Sequence, residues 1–139
     1  MAMWTCPKCQ RPFRRAGQWH VCSEKTIDEI FAGKPDQVVM AFDDVLVATA
    51  EWEPNLITPA RHAVMFTNKR AWMVDRPMSK LLELSFFTGE LLHSPVLHRS
   101  APDHMGQKKF RHSIRLSGPG ELSPEAVALM RKGYDYGNR

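Results

Sequence analysis

Three cysteines and a histidine lie within the first 22 residues, in the run CPKCQRPFRRAGQWHVC. Cys6 and Cys9 are separated by two residues, so both sulfur atoms can point inward from one tight turn, which Pro7 stiffens. His20 and Cys22 are two apart, which places both side chains on the same face of an extended chain. Because four such ligands match a closed tetrahedral site, we predict one structural zinc ion bound by all four residues.

A disulfide is the first alternative to zinc, since the three cysteines would form one bridge and leave one thiol unpaired. Free thiols packed as small apolar side chains are the second alternative. The sequence has no secretory signal to favour a disulfide, and free thiols do not explain the proline in the turn or the nearby histidine, so we favour zinc. A metal ion would also replace the apolar core that so short a segment lacks.

The net charge of +4 lies entirely in residues 1–25, which carry five basic groups and one acidic group, while the rest carries 14 of each. This excess is either a solvated face or a patch that binds nucleic acid or another polyanion. The candidate nucleic-acid-binding residues are Lys8, Arg11, Arg14 and Arg15, with Trp19 available to stack on a base.

The length of 139 residues suits one ordinary core with a small appendage. We therefore predict a zinc-ribbon or knuckle-like head over residues 1–25 and a second domain over residues 26–139. No apolar run approaches the length of a membrane span, and the start MAMWTCPK has no apolar signal region. We expect a cytoplasmic protein without membrane contact.

Helix signals follow the head. Thr26 and Glu29 form a capping-box pattern before a short helix at about 27–32, which Gly33 would end. A second helix is predicted over about 35–52, because its apolar residues recur on one stripe from Val38 to Thr49. Near the C-terminus, Ser123 is the predicted cap of a last helix.

Between these helices the pattern alternates between apolar and polar residues, as in strands. HAVMFTNKRAWMVDRP reads as a hairpin, and LLELSFF, VLHRS and KKFRHSIRL as three further strands at 81–87, 96–100 and 108–116. Consecutive strands with short connections favour an antiparallel sheet. We predict an α+β fold in which four to five antiparallel strands carry the helices on one face.

Three stretches resemble a bacterial family of domains of unknown function: WTCPKCQRPF with GQWHVCS, TIDEIFAGKPDQVVMAFD, and KFRHSIRLSGPGELSPEAVALMRKGYDYG. Members of that family often carry a zinc-ribbon-like head. The TIDEIFAGKP entry also resembles the YdhG-like group of small α+β domains with a curved antiparallel sheet. The resemblance implies the fold and the metal, and it implies no activity.

Strand 108–116 places His112 among apolar neighbours, while Lys109, Arg111 and Arg115 point to the other face. His112 is therefore a hydrogen-bonded core histidine or a pocket histidine with a shifted pKa. The basic row is either solvated or binds an anion. Four other histidines have no metal-ligand spacing with a carboxylate: His62, His93, His98 and His104.

These observations favour a binding or adaptor protein, with nucleic acid as the first candidate partner through the basic head. No phosphate-binding glycine loop, nucleophile elbow or zinc-protease motif occurs in the sequence. The alternative is an enzyme or small-ligand binder with a pocket on the sheet near His112 and Arg115. A cavity lined by both residues and a carboxylate would favour that alternative.

Overall fold

The computed structural model describes residues 3–7, 12–13, 16–17, 26–103 and 108–139. Strand β1 (Trp4–Thr5), in the first of these segments, pairs antiparallel with β2 (Pro12–Phe13), which is the second segment, with Thr5 opposite Pro12. Cys6, directly after β1, is buried. The other three predicted zinc ligands, Cys9, His20 and Cys22, lie outside the described residues, so zinc coordination stays a prediction.

Helix α1 (Ile27–Ile30) begins at the predicted capping box. The Thr26 hydroxyl accepts from the Glu29 backbone N–H at 3.2 Å, and the Glu29 carboxylate accepts from the Thr26 backbone N–H at 3.4 Å. Gly33 follows with φ of 76°, a left-handed conformation that favours glycine and turns the chain. The sequence signals at this helix are therefore confirmed.

The two longer helices are α2 (Asp36–Thr49) and α3 (Pro124–Gly137). The apolar stripe of α2 is its buried face, since Val38, Phe42 and Val45 are all at most 3% exposed. The Ser123 hydroxyl caps α3 by accepting from the Ala126 N–H at 3.2 Å, as expected.

The described residues also form a six-stranded antiparallel sheet, so the α+β class is confirmed. Its spatial order is β3-β4-β5-β6-β8-β7. The strands are β3 (Leu56–Pro59), β4 (Val64–Thr67), β5 (Ala71–Pro77), β6 (Leu82–Thr88), β7 (Arg99–Pro102) and β8 (Phe110–Leu116).

The observed sheet differs from the predicted sheet at two of its strands. The short edge strand β3 was not expected, because LITP holds a proline and is too short to alternate clearly. The strand predicted at 96–100 is displaced towards the C-terminus, where β7 runs from Arg99 to Pro102. The strand count is therefore six rather than four to five.

The register divides the sheet into two faces. Phe66, Met73, Phe86 and His112 are successive cross-strand partners on the helix-covered face. There the Phe42 ring of α2 meets the Phe66 ring at 6.3 Å between centroids.

Helix α3 packs on the same face. A Cβ atom at its Gly133 would lie 2.9 Å from the Phe86 ring, so only glycine permits this close approach. The helices therefore leave the opposite face of the central strands to polar residues.

Candidate anion-binding groove

Strict alternation in β6 and β8 places polar side chains on the face turned away from α2 and α3. In β8 the outward residues are Arg111, Ser113 and Arg115, between the buried His112, Ile114 and Leu116. In β6 they are Glu83, Ser85 and Phe87, because Leu82, Leu84 and Phe86 face the core. The strands are antiparallel neighbours, so the two outward rows form one surface.

A cavity of about 460 Å³ lies on this surface, which we call the arginine groove. Four arginines line it against two carboxylates, those of Glu83 and Asp103, which leaves two formal positive charges. Its walls are completed by residues of the edge strand β7 and the segment before it. The full lining is Arg76, Glu83, Ser85, His98, Arg99, Ala101, Pro102, Asp103, Arg111, Ser113 and Arg115.

One end of the arginine groove is an ion-paired cluster. Glu83 Oε1 accepts from Arg76 at 3.2 Å, and Glu83 Oε2 accepts from Arg115 Nε at 3.0 Å. The carboxylate side chain is only 11% exposed, whereas the two arginine side chains are 53% and 37% exposed. Glu83 therefore holds two arginines in place and offsets part of their charge.

The middle of the groove is different, because its arginines have no carboxylate partner within the described part of the chain. Arg111 donates to the Ser85 hydroxyl at 3.1 Å, and Ser85 itself is 2% exposed. Ser113 lies directly between Ser85 and Arg99 in the register of the three strands. Arg99 and Arg111 are both exposed, so their guanidinium groups are available to an anion.

His112 lies on the opposite side of β8, where it is fully buried and hydrogen-bonded at both ring nitrogens. The Thr88 hydroxyl donates to the Glu90 carbonyl at 2.6 Å, so Thr88 Oγ1 accepts from His112 Nε2–H at 2.7 Å. His112 Nδ1 then accepts from the Ser100 hydroxyl at 2.7 Å. Burial lowers the pKa of His112, while a hydrogen bond with the Glu90 backbone acts in the other direction.

This network joins β6, β7 and β8 on the buried face, directly behind the groove. Ser100 flanks Arg99 on β7, and His112 flanks Arg111 on β8. We interpret His112 as the hydrogen-bonded core histidine that the sequence offered as one of its two alternatives. It holds the edge strand against its neighbour and thereby fixes the spacing of the two arginines.

The structure places His112 and Arg115 on opposite faces of β8. Arg115 lines the arginine groove, and His112 points to the helix-covered face, because they are three residues apart on one strand. The carboxylate beside Arg115 is Glu83, from the neighbouring strand. The arginine groove therefore includes Arg115 and not His112.

The remaining predicted sites fall elsewhere. Lys109 lies near the groove and contacts Asp103 at 3.9 Å. The candidate nucleic-acid contacts of the head lie outside the described residues: Lys8, Arg11, Arg14, Arg15 and Trp19. Among described residues, no group of three or more His, Cys, Asp or Glu side chains could hold a metal ion.

Sequence reasoning missed Glu83, Ser85, Arg76 and Arg99. The signal for Glu83 and Ser85 was present, because LELSFF alternates as cleanly as the strand that carries Arg111. Arg76 and Arg99 carried no comparable signal, since their positions depend on which strands become neighbours. The sheet order alone brings these four residues together.

The sequence profile of one family, described as a domain of unknown function (DUF5655), matches residues 27–137. The chain belongs to this family. The DUF5655 match begins after the cysteine-containing segment, so it covers the sheet, the three helices and the arginine groove. The match does not include the expected zinc head, and it does not test the expected relation to the YdhG-like group. Searches of curated proteins and of solved structures found no significant match to this DUF5655 chain.

None of the helices in the described segments has the length and apolar character needed to cross a lipid bilayer.

Proposed function

We propose that this DUF5655 domain is a binding module for a phosphate-bearing ligand, which it holds in the arginine groove. The observation that carries the proposal is the pair Arg99 and Arg111, two exposed guanidinium groups on adjacent strands without a carboxylate partner in the described segments. An arginine that only solubilises a surface needs no such placement in a concave site. Two such groups on neighbouring strands, offset by two residues in the register, match the charge of a phosphate dianion.

The local architecture supports binding because it orders the arginines in advance. Ser85 holds Arg111, one of the two arginines assigned to the ligand, by a hydrogen bond of 3.1 Å. Ordered side chains lose less conformational entropy when a ligand arrives. Both uncompensated arginines sit on the strand pair that His112 and Ser100 lock from behind.

The test is calorimetric titration of inorganic phosphate and pyrophosphate at low ionic strength. The double variant Arg99→Ala/Arg111→Ala should weaken binding by about tenfold or more per arginine, since each charged hydrogen bond contributes about 1.5 kcal/mol or more. The control Lys34→Ala/Lys132→Ala removes the same charge from positions outside the groove. An equal loss of phosphate affinity in both double variants would show that only net charge matters, and would contradict the proposal.

The head supports a second candidate function, contact with nucleic acid. The formal charge of +4 in residues 1–25 and the pairing of β1 with β2 around the CPKC stretch support this candidate. We propose that Cys6, Cys9, His20 and Cys22 bind one zinc ion, which would present Lys8, Arg11, Arg14, Arg15 and Trp19 to a phosphate backbone. The binding would be insensitive to base sequence and sensitive to salt.

Fluorescence anisotropy with short DNA and RNA at several salt concentrations tests the head. Replacing Arg11, Arg14 and Arg15 with alanine should flatten the log–log salt dependence by about 3 units if each arginine touches a phosphate. Binding that ignores this triple substitution would rule out the head as the contact surface.

A further inference from the structure

A second cavity, of about 330 Å³, lies beside the arginine groove and has a different lining. Three aromatic side chains line it, Trp72, Phe87 and Tyr136, together with the cations Arg70 and Lys109. Trp72 is almost fully buried, whereas Phe87 and Tyr136 are half-buried and offer ring surface to the cavity. We call this cavity the aromatic crevice.

The two cavities meet at one cross-strand pair. Phe87 of β6 lies directly opposite Arg111 of β8, so their Cβ atoms are about 5 Å apart on the same face. Arg111 lines the groove and Phe87 lines the crevice. Lys109 also lines the crevice, with its ammonium 4.4 Å from the centre of the Phe87 ring.

A ligand that reaches both cavities needs an anionic group and a planar apolar group separated by a short linker. The Arg111 guanidinium reaches the row of Ser85, Ser113 and Arg99, because it donates to the Ser85 hydroxyl at 3.1 Å. This row is two residues along the strands from Phe87. That is a step of about 7 Å in an extended chain. The sugar of a nucleotide spans a gap of this kind between its phosphate and its base.

The cations of the crevice favour a nucleobase over a simple aromatic ring. Lys109 and Arg70 are hydrogen-bond donors without acceptor capacity, and the rim of a base presents ring nitrogen and carbonyl acceptors. An aromatic face such as that of Phe87 can stack on any base, because every base has a π-face.

We propose that the ligand of the arginine groove is a nucleoside phosphate, with its phosphate on Arg99 and Arg111 and its base in the aromatic crevice against Phe87. This inference rests on the proposed function of the groove. The same chemical unit occurs in a free nucleotide and in a single strand of nucleic acid.

Calorimetric titration of the full-length protein with AMP and with ribose 5-phosphate separates the contributions of the two cavities to affinity, because only AMP carries a base. AMP should bind about 5- to 150-fold more tightly, the range expected for stacking one base on an aromatic side chain. Phe87→Leu keeps an apolar side chain but removes the ring, so it should abolish this difference and leave ribose 5-phosphate binding unchanged. Phe87→Tyr should retain the difference.

Three further titrations complete the design. Tyr136→Leu tests the opposite wall of the crevice, and it replaces Phe87→Leu if that variant does not fold. Leu91→Ala changes an exposed apolar residue outside both cavities and should alter neither affinity. Comparison of AMP with octaadenylate identifies the source of the ligand, since tighter binding per site by the octamer indicates a single strand.

The outcomes distinguish the inference from the function on which it rests. Equal binding of AMP and ribose 5-phosphate, with loss of both in Arg99→Ala/Arg111→Ala, would overturn the nucleoside assignment and leave the groove as a phosphate site. A preference for AMP that survives Phe87→Leu and Tyr136→Leu would also overturn it. Failure of both ligands and of the octamer to bind would overturn the inference and the proposed function together.

Discussion

Asp75 is a carboxylate in the apolar core, on the helix-covered face of β5. It is 0% exposed, and its cross-strand neighbours are Val64 and Leu84. Neither carboxylate oxygen has a hydrogen-bond partner within the described part of the chain. Burial therefore raises the pKa of Asp75 well above its ordinary value of 3.8, so the protonated form is favoured in the folded protein.

The sign of the resulting pH dependence follows from this raised pKa. In the unfolded chain Asp75 loses its proton near pH 3.8, whereas in the folded protein it keeps the proton to higher pH. The contribution of Asp75 to stability is therefore fully present below about pH 3.8 and is lost as pH rises towards the folded pKa. Because only one proton is involved, the free energy of unfolding falls by at most about 1.4 kcal/mol per pH unit.

His112 has the opposite effect on the pH dependence of stability, because folding lowers the pKa of its ring. The stability that His112 contributes is therefore lost as the pH falls below 6.5, the ordinary pKa of histidine. The measurement must therefore isolate Asp75. The difference in unfolding free energy between wild type and Asp75→Asn cancels the contribution of His112, which both proteins retain.

Urea unfolding of both proteins between pH 4.5 and 7.5 tests the prediction. The free energy of unfolding of wild type should fall relative to that of Asp75→Asn as pH rises over this range. At pH 7, Asp75→Val should raise the free energy of unfolding by about 1–3 kcal/mol, because it removes a buried polar group without partners. A wild-type minus Asp75→Asn difference that does not change with pH would refute the reasoning.

Three other outcomes are expected. Glu83→Gln should tighten phosphate binding about sevenfold in a calorimetric titration, because a charge about 7 Å from a dianion contributes about 1.2 kcal/mol in water; unchanged affinity would place the anion elsewhere. Gly133→Ala should lower the free energy of unfolding by about 1–2 kcal/mol in urea, since its Cβ would meet Phe86 at 2.9 Å. Metal analysis should find one zinc per chain, and chelation should leave most of the far-UV circular dichroism signal intact; a disulfide found by mass spectrometry would contradict the zinc prediction.

Local signals in the sequence predicted most of the helices and strands. The capping box at Thr26, the cap at Ser123 and the hairpin between β4 and β5 each depend on neighbouring residues, and each is confirmed. The alternation of β8 also assigned its residues to the correct faces. These features could be predicted because the physical cause lies within a few residues of its effect.

The candidate site depended on information that is not local. Arg99 and Arg111 become neighbours because β7 returns to pair with β8 at the sheet edge, and no short-range pattern specifies that pairing. Asp75 was not singled out, because the bulge between Phe66 and Thr67 changes the alternation at the start of β5. Residue spacing alone also could not relate Glu83 to Arg115, which are paired across two strands.

The most direct test of the central claim is an NMR titration of the ¹⁵N-labelled protein with pyrophosphate, observed at the arginine side-chain Nε–H resonances and the backbone amides. The largest shifts should occur at Arg99 and Arg111 and at the amides of β7 and β8 that flank them. The resonances of α2, on the opposite side of the sheet, should change little. Shifts confined to other residues, or the absence of shifts at low ionic strength, would contradict the assignment of the arginine groove as the ligand site.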